Sequence, residues 1–154
     1  MQATLDAPVR TSATGLDRIL ATGHPALIVF ETPDCGPCDS LRPILDDLAR
    51  EFTDRVLIVC VTDASEGWLA ARYHLSFVPT LLFWRDGKEH ARIKGNPGPA
   101  AIRDYLEFLT TGGHRPKPVE GPRHTLEARY RTPARPVPDG PPRGLLVPGR
   151  RPRA

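Results

Sequence analysis

The tetrapeptide Cys35-Gly36-Pro37-Cys38 limits what this chain can fold into, because of what flanks it. Before it runs Ala26-Leu27-Ile28-Val29-Phe30, short, continuous and apolar, the pattern of a strand buried on both faces. After it, Leu41, Ile44, Leu45, Leu48 and Phe52 recur in steps of three and four, the spacing of a helix with one buried stripe. The two thiols therefore fall at a strand-to-helix turn, with Cys35 in or beside the first turn of the helix. A helix start presents free N–H groups and the positive end of its dipole, which favour thiolate over thiol. Cys35 is thus expected to be an exposed nucleophile, and Cys38, one turn further in, the thiol that resolves a mixed disulfide. Gly36 and Pro37 are expected to shape the turn between them, since proline in a first turn has no needed N–H to lose. Two zinc ligands are the competing use of such a pair. A tetrahedral site needs four, however, and His24, His74 and Cys60 are scattered.

The same patterning orders the rest of the chain. Residues 1–10 carry no pattern and suit either a short edge strand or a loose end. Thr14, followed three residues on by Asp17, reads as a cap opening a short helix that Gly23 ends. Val56 to Val61 is a second apolar run, so strand, helix and strand form a βαβ unit with parallel strands. Pro43 falls inside the helix of that unit and should kink it. Trp68 to Tyr73 reads as a short helix, and Thr80 to Trp84 as a strand. Asp86-Gly87 reads as a hairpin turn and Glu89 to Ile93 as the returning strand. A last helix opens at Gly98-Pro99, buries Ile102, Tyr105, Leu106 and Leu109, and closes at Gly112-Gly113. Both tryptophans, Trp68 and Trp84, are expected in the core, as is Cys60, an inert thiol within an apolar run.

Composition changes sharply at the end of that helix. From Thr111 onward there are ten prolines, and ten Lys or Arg against three acidic residues, a balance of +7. The remainder of the chain is mildly acidic, so the basic character belongs to the tail. Residues 1–110 are accordingly expected to form one domain, and residues 111–154 a basic tail too poor in apolar side chains to offset its ordering entropy. Leu126 to Arg131 is the one stretch suited to a brief helix. The start of the chain has no signal-like segment, and no apolar run approaches the ~20 residues that span a bilayer. A cytoplasmic setting without membrane contact is expected, where a reactive dithiol donates electrons.

The chain resembles the thioredoxin family in five segments whose order and spacing agree. These are Asp34-Cys35-Gly36-Pro37-Cys38, Arg42-Pro43-Ile44-Leu45, Phe77-Val78-Pro79-Thr80-Leu81, Arg85-Asp86-Gly87-Lys88 and Ile93-Lys94-Gly95. The resemblance spans roughly residues 10–110. It implies an α/β thioredoxin fold, a mixed central sheet with helices on both faces. It also implies a protein-disulfide reductase that acts on disulfide-containing client proteins and is regenerated by a thioredoxin reductase. A monomer is expected, and, with no glycine-rich nucleotide fingerprint in the chain, no bound cofactor. In such a family Pro79 would be cis and face the cysteine pair, leaving the backbone of Val78 free to pair with an extended client peptide. Gly95, lacking a side chain, would let client backbone approach closely, or would simply end a strand.

Four positions depart from the family pattern. A buried Asp usual six residues before the nucleophile is Val29, and a Lys that often partners it aligns with Val59. Glu31, two residues after Val29 and on the same strand face, is a candidate for the missing proton-transfer role; a surface carboxylate at the strand end is the alternative. Asp34 stands where a Trp is usual and Asp39 where a basic residue is usual. Two acids beside the pair should oppose thiolate formation and favour basic partners. Two further functions remain open: a non-enzymatic interaction module whose basic tail recruits an acidic protein or a nucleic acid, and a reductant dedicated to a single client.

Overall fold

The computed structural model describes residues 6–62, 64 and 67–126. The chain runs β1 (Val9–Thr11), α1 (Ala13–Leu20), β2 (Ala26–Phe30), α2 (Gly36–Glu51), β3 (Leu57–Val61) and α3 (Gly67–Tyr73). It continues through β4 (Phe77–Val78), β5 (Thr80–Arg85), β6 (Lys88–Lys94), α4 (Pro99–Thr111) and β7 (His124–Thr125). Five strands form a mixed sheet in the order β1-β3-β2-β5-β6. β3 is parallel to both β1 and β2, as the βαβ unit requires, while β5 runs antiparallel to β2 and to β6. The edge strand β1 realises one of the two options open for the N-terminal residues.

β2 lies at the centre, and all five of its residues are buried. Its side chains alternate between the sheet faces, which is why the run is apolar throughout. Leu27 and Val29 pack in one core with Leu41, Leu45 and Leu48 of α2 and Ile102, Tyr105 and Leu106 of α4. Ala26, Ile28 and Phe30 pack in the other with Leu16 of α1 and Leu69, Ala70 and Tyr73 of α3. Two helices thus cover each face, and the predicted stripe of α2 is the one buried.

Local signals explain the element ends. α1 is capped two residues earlier than expected. Ser12, not Thr14, takes the N-cap and accepts the Gly15 N–H at 3.4 Å, which leaves Thr14 inside the helix. α4 closes on Gly112 in the left-handed conformation (φ 71°), where glycine has no Cβ penalty. Trp68 is 39% exposed rather than in the core, because it stands on the outer side of the short α3, whose Leu69 and Ala70 face inward.

The segment after α4 departs most from expectation. Residues 112–126 do not leave the domain; they turn back along it. The Tyr105 hydroxyl donates to the Lys117 carbonyl at 2.9 Å, and Val119 packs against the α2/α4 core. Glu120 bridges Lys94, β7 pairs antiparallel with β4, and Leu126 is 2% exposed. Tail-wide composition hid these anchors. Two apolar residues and a row of sheet-edge backbone groups suffice to order a short stretch, since burying one leucine is worth about 1.5–3 kcal/mol. Of the stretch expected as a brief helix, Leu126 to Arg131, only Leu126 is described, and it lies in no helix; residues 127–154 lie outside the described residues.

Candidate active site

The active-site turn joins the C-terminal end of β2 to α2. Its left-handed residue is Asp34 (φ 57°), an exposed aspartate able to adopt that conformation. Gly36 and Pro37 are the first two residues of α2 rather than the turn itself. A Cβ on Gly36 would meet nothing within 4 Å, so no close contact demands glycine there. Cys35 is the N-cap, and its Sγ accepts the Cys38 backbone N–H at 3.2 Å. This is a helix-start donor aimed at the sulfur, an arrangement that stabilises negative charge on Cys35 when the pair is reduced.

Cys35 and Cys38 are joined as a disulfide, with Cα atoms 5.2 Å apart. Each is 1% exposed, so the exposure expected of Cys35 is absent. The reason lies in what surrounds it. Cys35 and Cys38 belong to one buried cluster with Val78 and with Leu126 from the returning C-terminal segment.

Val78, far from the pair in sequence, meets it in the fold and leads on to Pro79 and Gly95. The Val78 carbonyl lies 3.9 Å from Cys35 Sγ. The Val78–Pro79 bond is cis. The Pro79 carbonyl accepts the Gly95 N–H at 2.8 Å, tying the end of β6 to the start of β5. Gly95 has φ 92°, and a Cβ there would overlap the carbonyls of Gly121 and Pro122. Backbone does approach Gly95 closely, and it is this chain's own.

Glu31 is buried, 2% exposed, so it is not a surface carboxylate. Burial pushes its pKa above the ordinary 4.5, opposed by the positive charges of Arg42 and Arg10 and assisted by Asp39. Its side chain meets Arg10 Nη1 at 3.5 Å, and Oε2 has no partner among the described residues. Its partner is thus Arg10 of β1, not a sulfur. Arg10 had no sequence signal, because only the β1–β3 register brings it opposite Cys60 and near Glu31. Asp39 is exposed in the first turn of α2, with Arg42 at 3.8 Å. Cys60, the third thiol, is held in β3 between Arg10 and Val29, and burial pushes its pKa up to about 12.

Comparison with known proteins agrees with this geometry. The family model named Thioredoxin matches residues 8–108. Thioredoxin 1 of Synechococcus elongatus is 32% identical over 97 residues, covering 63% of this chain and 91% of its own. The chloroplastic M-type thioredoxin of Spinacia oleracea is 30% identical over 90 residues, 58% of this chain and 49% of its own. A mutant thioredoxin from Halobacterium salinarum superposes with a TM-score of 0.65 at 26% identity, covering 75% of this chain and all (100%) of that one. A Trypanosoma brucei thioredoxin shares the fold at a TM-score of 0.64 and 21% identity, over 72% and 97% of the two chains. No helix among the described residues is long and apolar enough to cross a membrane.

Proposed function

The chain belongs to the thioredoxin family and is a thiol-disulfide oxidoreductase, and from that premise we propose the roles of its residues. Its substrates are disulfide-containing proteins, and a reductase partner returns it to the dithiol state. Cys35 is the nucleophile. As thiolate it attacks one sulfur of a client disulfide, forms a Cys35–client disulfide and expels the other client sulfur as thiolate. Cys38, deprotonated, then attacks the Cys35 sulfur. The Cys35–Cys38 disulfide forms, the second client thiolate leaves, and two electrons have passed from the pair to the client. Both client thiolates take protons from solvent.

The observation that carries this assignment is the Cys38 N–H directed at Cys35 Sγ. It favours charge on Cys35 in the attacking step. Val78 and Gly95 offer backbone for an extended client strand, with Pro79 between Val78 and the sheet. Gly36 and Pro37 begin the helix, and Asp34 bends the chain into it. Glu31 supplies a buried carboxyl with a raised pKa on the Val29 face of β2, and we assign it the proton-transfer role that Val29 cannot fill. Wild type and Glu31→Gln should then differ in the pH dependence of disulfide reduction; superimposable profiles remove Glu31 from the mechanism.

The cytoplasm, where a flavin-dependent thioredoxin reductase would regenerate the dithiol, is the setting that suits a reducing role. The protein works there as a monomer. The acids Asp34 and Asp39 favour clients that are basic around their disulfide, as a reductant dedicated to one client would require. Trapping tests the assignment: Cys38→Ser holds clients on Cys35 as mixed disulfides that dithiothreitol releases, and Cys35→Ser traps none. Clients captured equally by the two variants would overturn it.

A further inference from the structure

We infer that residues 120–126 are a built-in peptide ligand of this protein's own client groove, and that a client strand must displace them to reach Cys35. The inference rests on the reductase reading and adds to it a competitor carried in the same chain.

The segment spans from the end of β6 to β4, whose Val78 carbonyl lies beside Cys35. On the β6 side, the Gly121 N–H donates to the Lys94 carbonyl at 3.1 Å, and the Asn96 N–H donates to the Pro122 carbonyl at 2.9 Å. On the β4 side, His124 pairs with Val78 and Thr125 with Phe77, and the Leu126 N–H donates to the Ser76 carbonyl at 3.0 Å. These are main-chain groups, the kind by which an added strand is recognised irrespective of its sequence. A backbone group engaged by the segment is not free for a client, so the two occupants exclude each other.

Two side chains make the fit specific. The Arg123 guanidinium lies over the Phe77 ring, 4.7 Å from its centroid, and Leu126 enters the cluster that holds Cys35, Cys38 and Val78. Gly121 completes the fit, since a Cβ there would overlap the Asn96 carbonyl. The segment is tethered to α4 through residues 112–119, which makes it a local competitor at an effective concentration of order millimolar. A client is therefore an extended strand whose residue facing Asn96 is glycine and whose residue five further on is apolar.

Gly121→Val tests this without touching the domain. Valine cannot fit against Asn96, so the segment should leave the groove. For insulin reduction, KM should fall roughly tenfold with kcat unchanged, because only a competitor is removed. In the fully reduced protein, alkylation of Cys35 by iodoacetamide, followed by peptide mass, should accelerate by a similar factor, while that of Cys60 does not change. Leu126→Glu, which withdraws the apolar anchor, should act in the same direction. If both variants alkylate at the wild-type rate and keep the wild-type KM, the segment is packing only and the inference fails. Alkylation needs no turnover, so it reports on the segment even if wild type proves unable to reduce insulin, the result that would instead sink the reductase reading.

Discussion

Cys35 and Cys60 are almost equally hidden, at 1% and 4% exposed, yet they are set for opposite chemistry. Cys35 caps a helix, accepts an N–H and lies in a cluster closed in part by Leu126 of the segment that returns after α4. Cys60 stands mid-strand between two paired neighbours, where burial pushes its pKa up to about 12 and the nearby Glu31 charge pushes the same way. Low exposure alone therefore does not separate a reactive thiol from an inert one. What separates them is whether a donor meets the sulfur and whether the cover can move without dismantling the sheet.

Replacing each thiol in turn puts the largest effect on this contrast. Cys35→Ser should cut disulfide reduction by on the order of a thousandfold, since the nucleophile is gone. Cys60→Ser should leave the rate unchanged. It should instead lower the unfolding free energy by about 1–3 kcal/mol, read from urea midpoints, because it places a hydroxyl in an apolar strand. A Cys60→Ser enzyme that lost activity while keeping its stability would break the contrast.

How much of this was legible in the sequence follows from how local each signal is. The strand Ala26–Phe30, the stripe on α2 and the cysteine pair are written in neighbouring residues, and the structure places them where periodicity puts them. The approach of Val78 to Cys35 came only through resemblance, because no local pattern joins residues that far apart. Arg10 beside Glu31 depends on strand register and had no signal. The Glu120–Leu126 segment was masked by its own composition. Prolines and arginines around it argued for disorder, and only the lone apolar residues Val119 and Leu126 hinted that the chain returns to the domain.

Glu31 sharpens the contrast by a smaller step, because it faces the Cys60 side of the sheet. Its carboxyl binds a proton more tightly folded than unfolded, so the native state gains protons relative to the unfolded chain above pH 4.5. The stability from this group is present below pH 4.5 and is lost as pH rises through its raised folded value. Urea midpoints between pH 4 and 8 should show that decline in wild type, and Glu31→Gln should flatten it. A steeper decline in Glu31→Gln would contradict the sign.

The smallest effect concerns the two acids flanking the pair. Asp34 and Asp39 are exposed, so their field at Cys35 is screened. Replacing both with Asn should lower the Cys35 pKa by less than about one unit, followed by thiolate absorbance, and should weaken any preference for basic clients. A rise in the pKa would mean that they support the thiolate.

The most direct measurement takes the fully reduced protein, free of dithiothreitol, and follows the opening of insulin's disulfides at equimolar concentration. Wild type should open them and end with Cys35 and Cys38 oxidised and Cys60 still a free thiol, and Cys35→Ser should not. Insulin left intact by wild type, or opened equally well by Cys35→Ser, would contradict the assignment of Cys35 as the attacking sulfur.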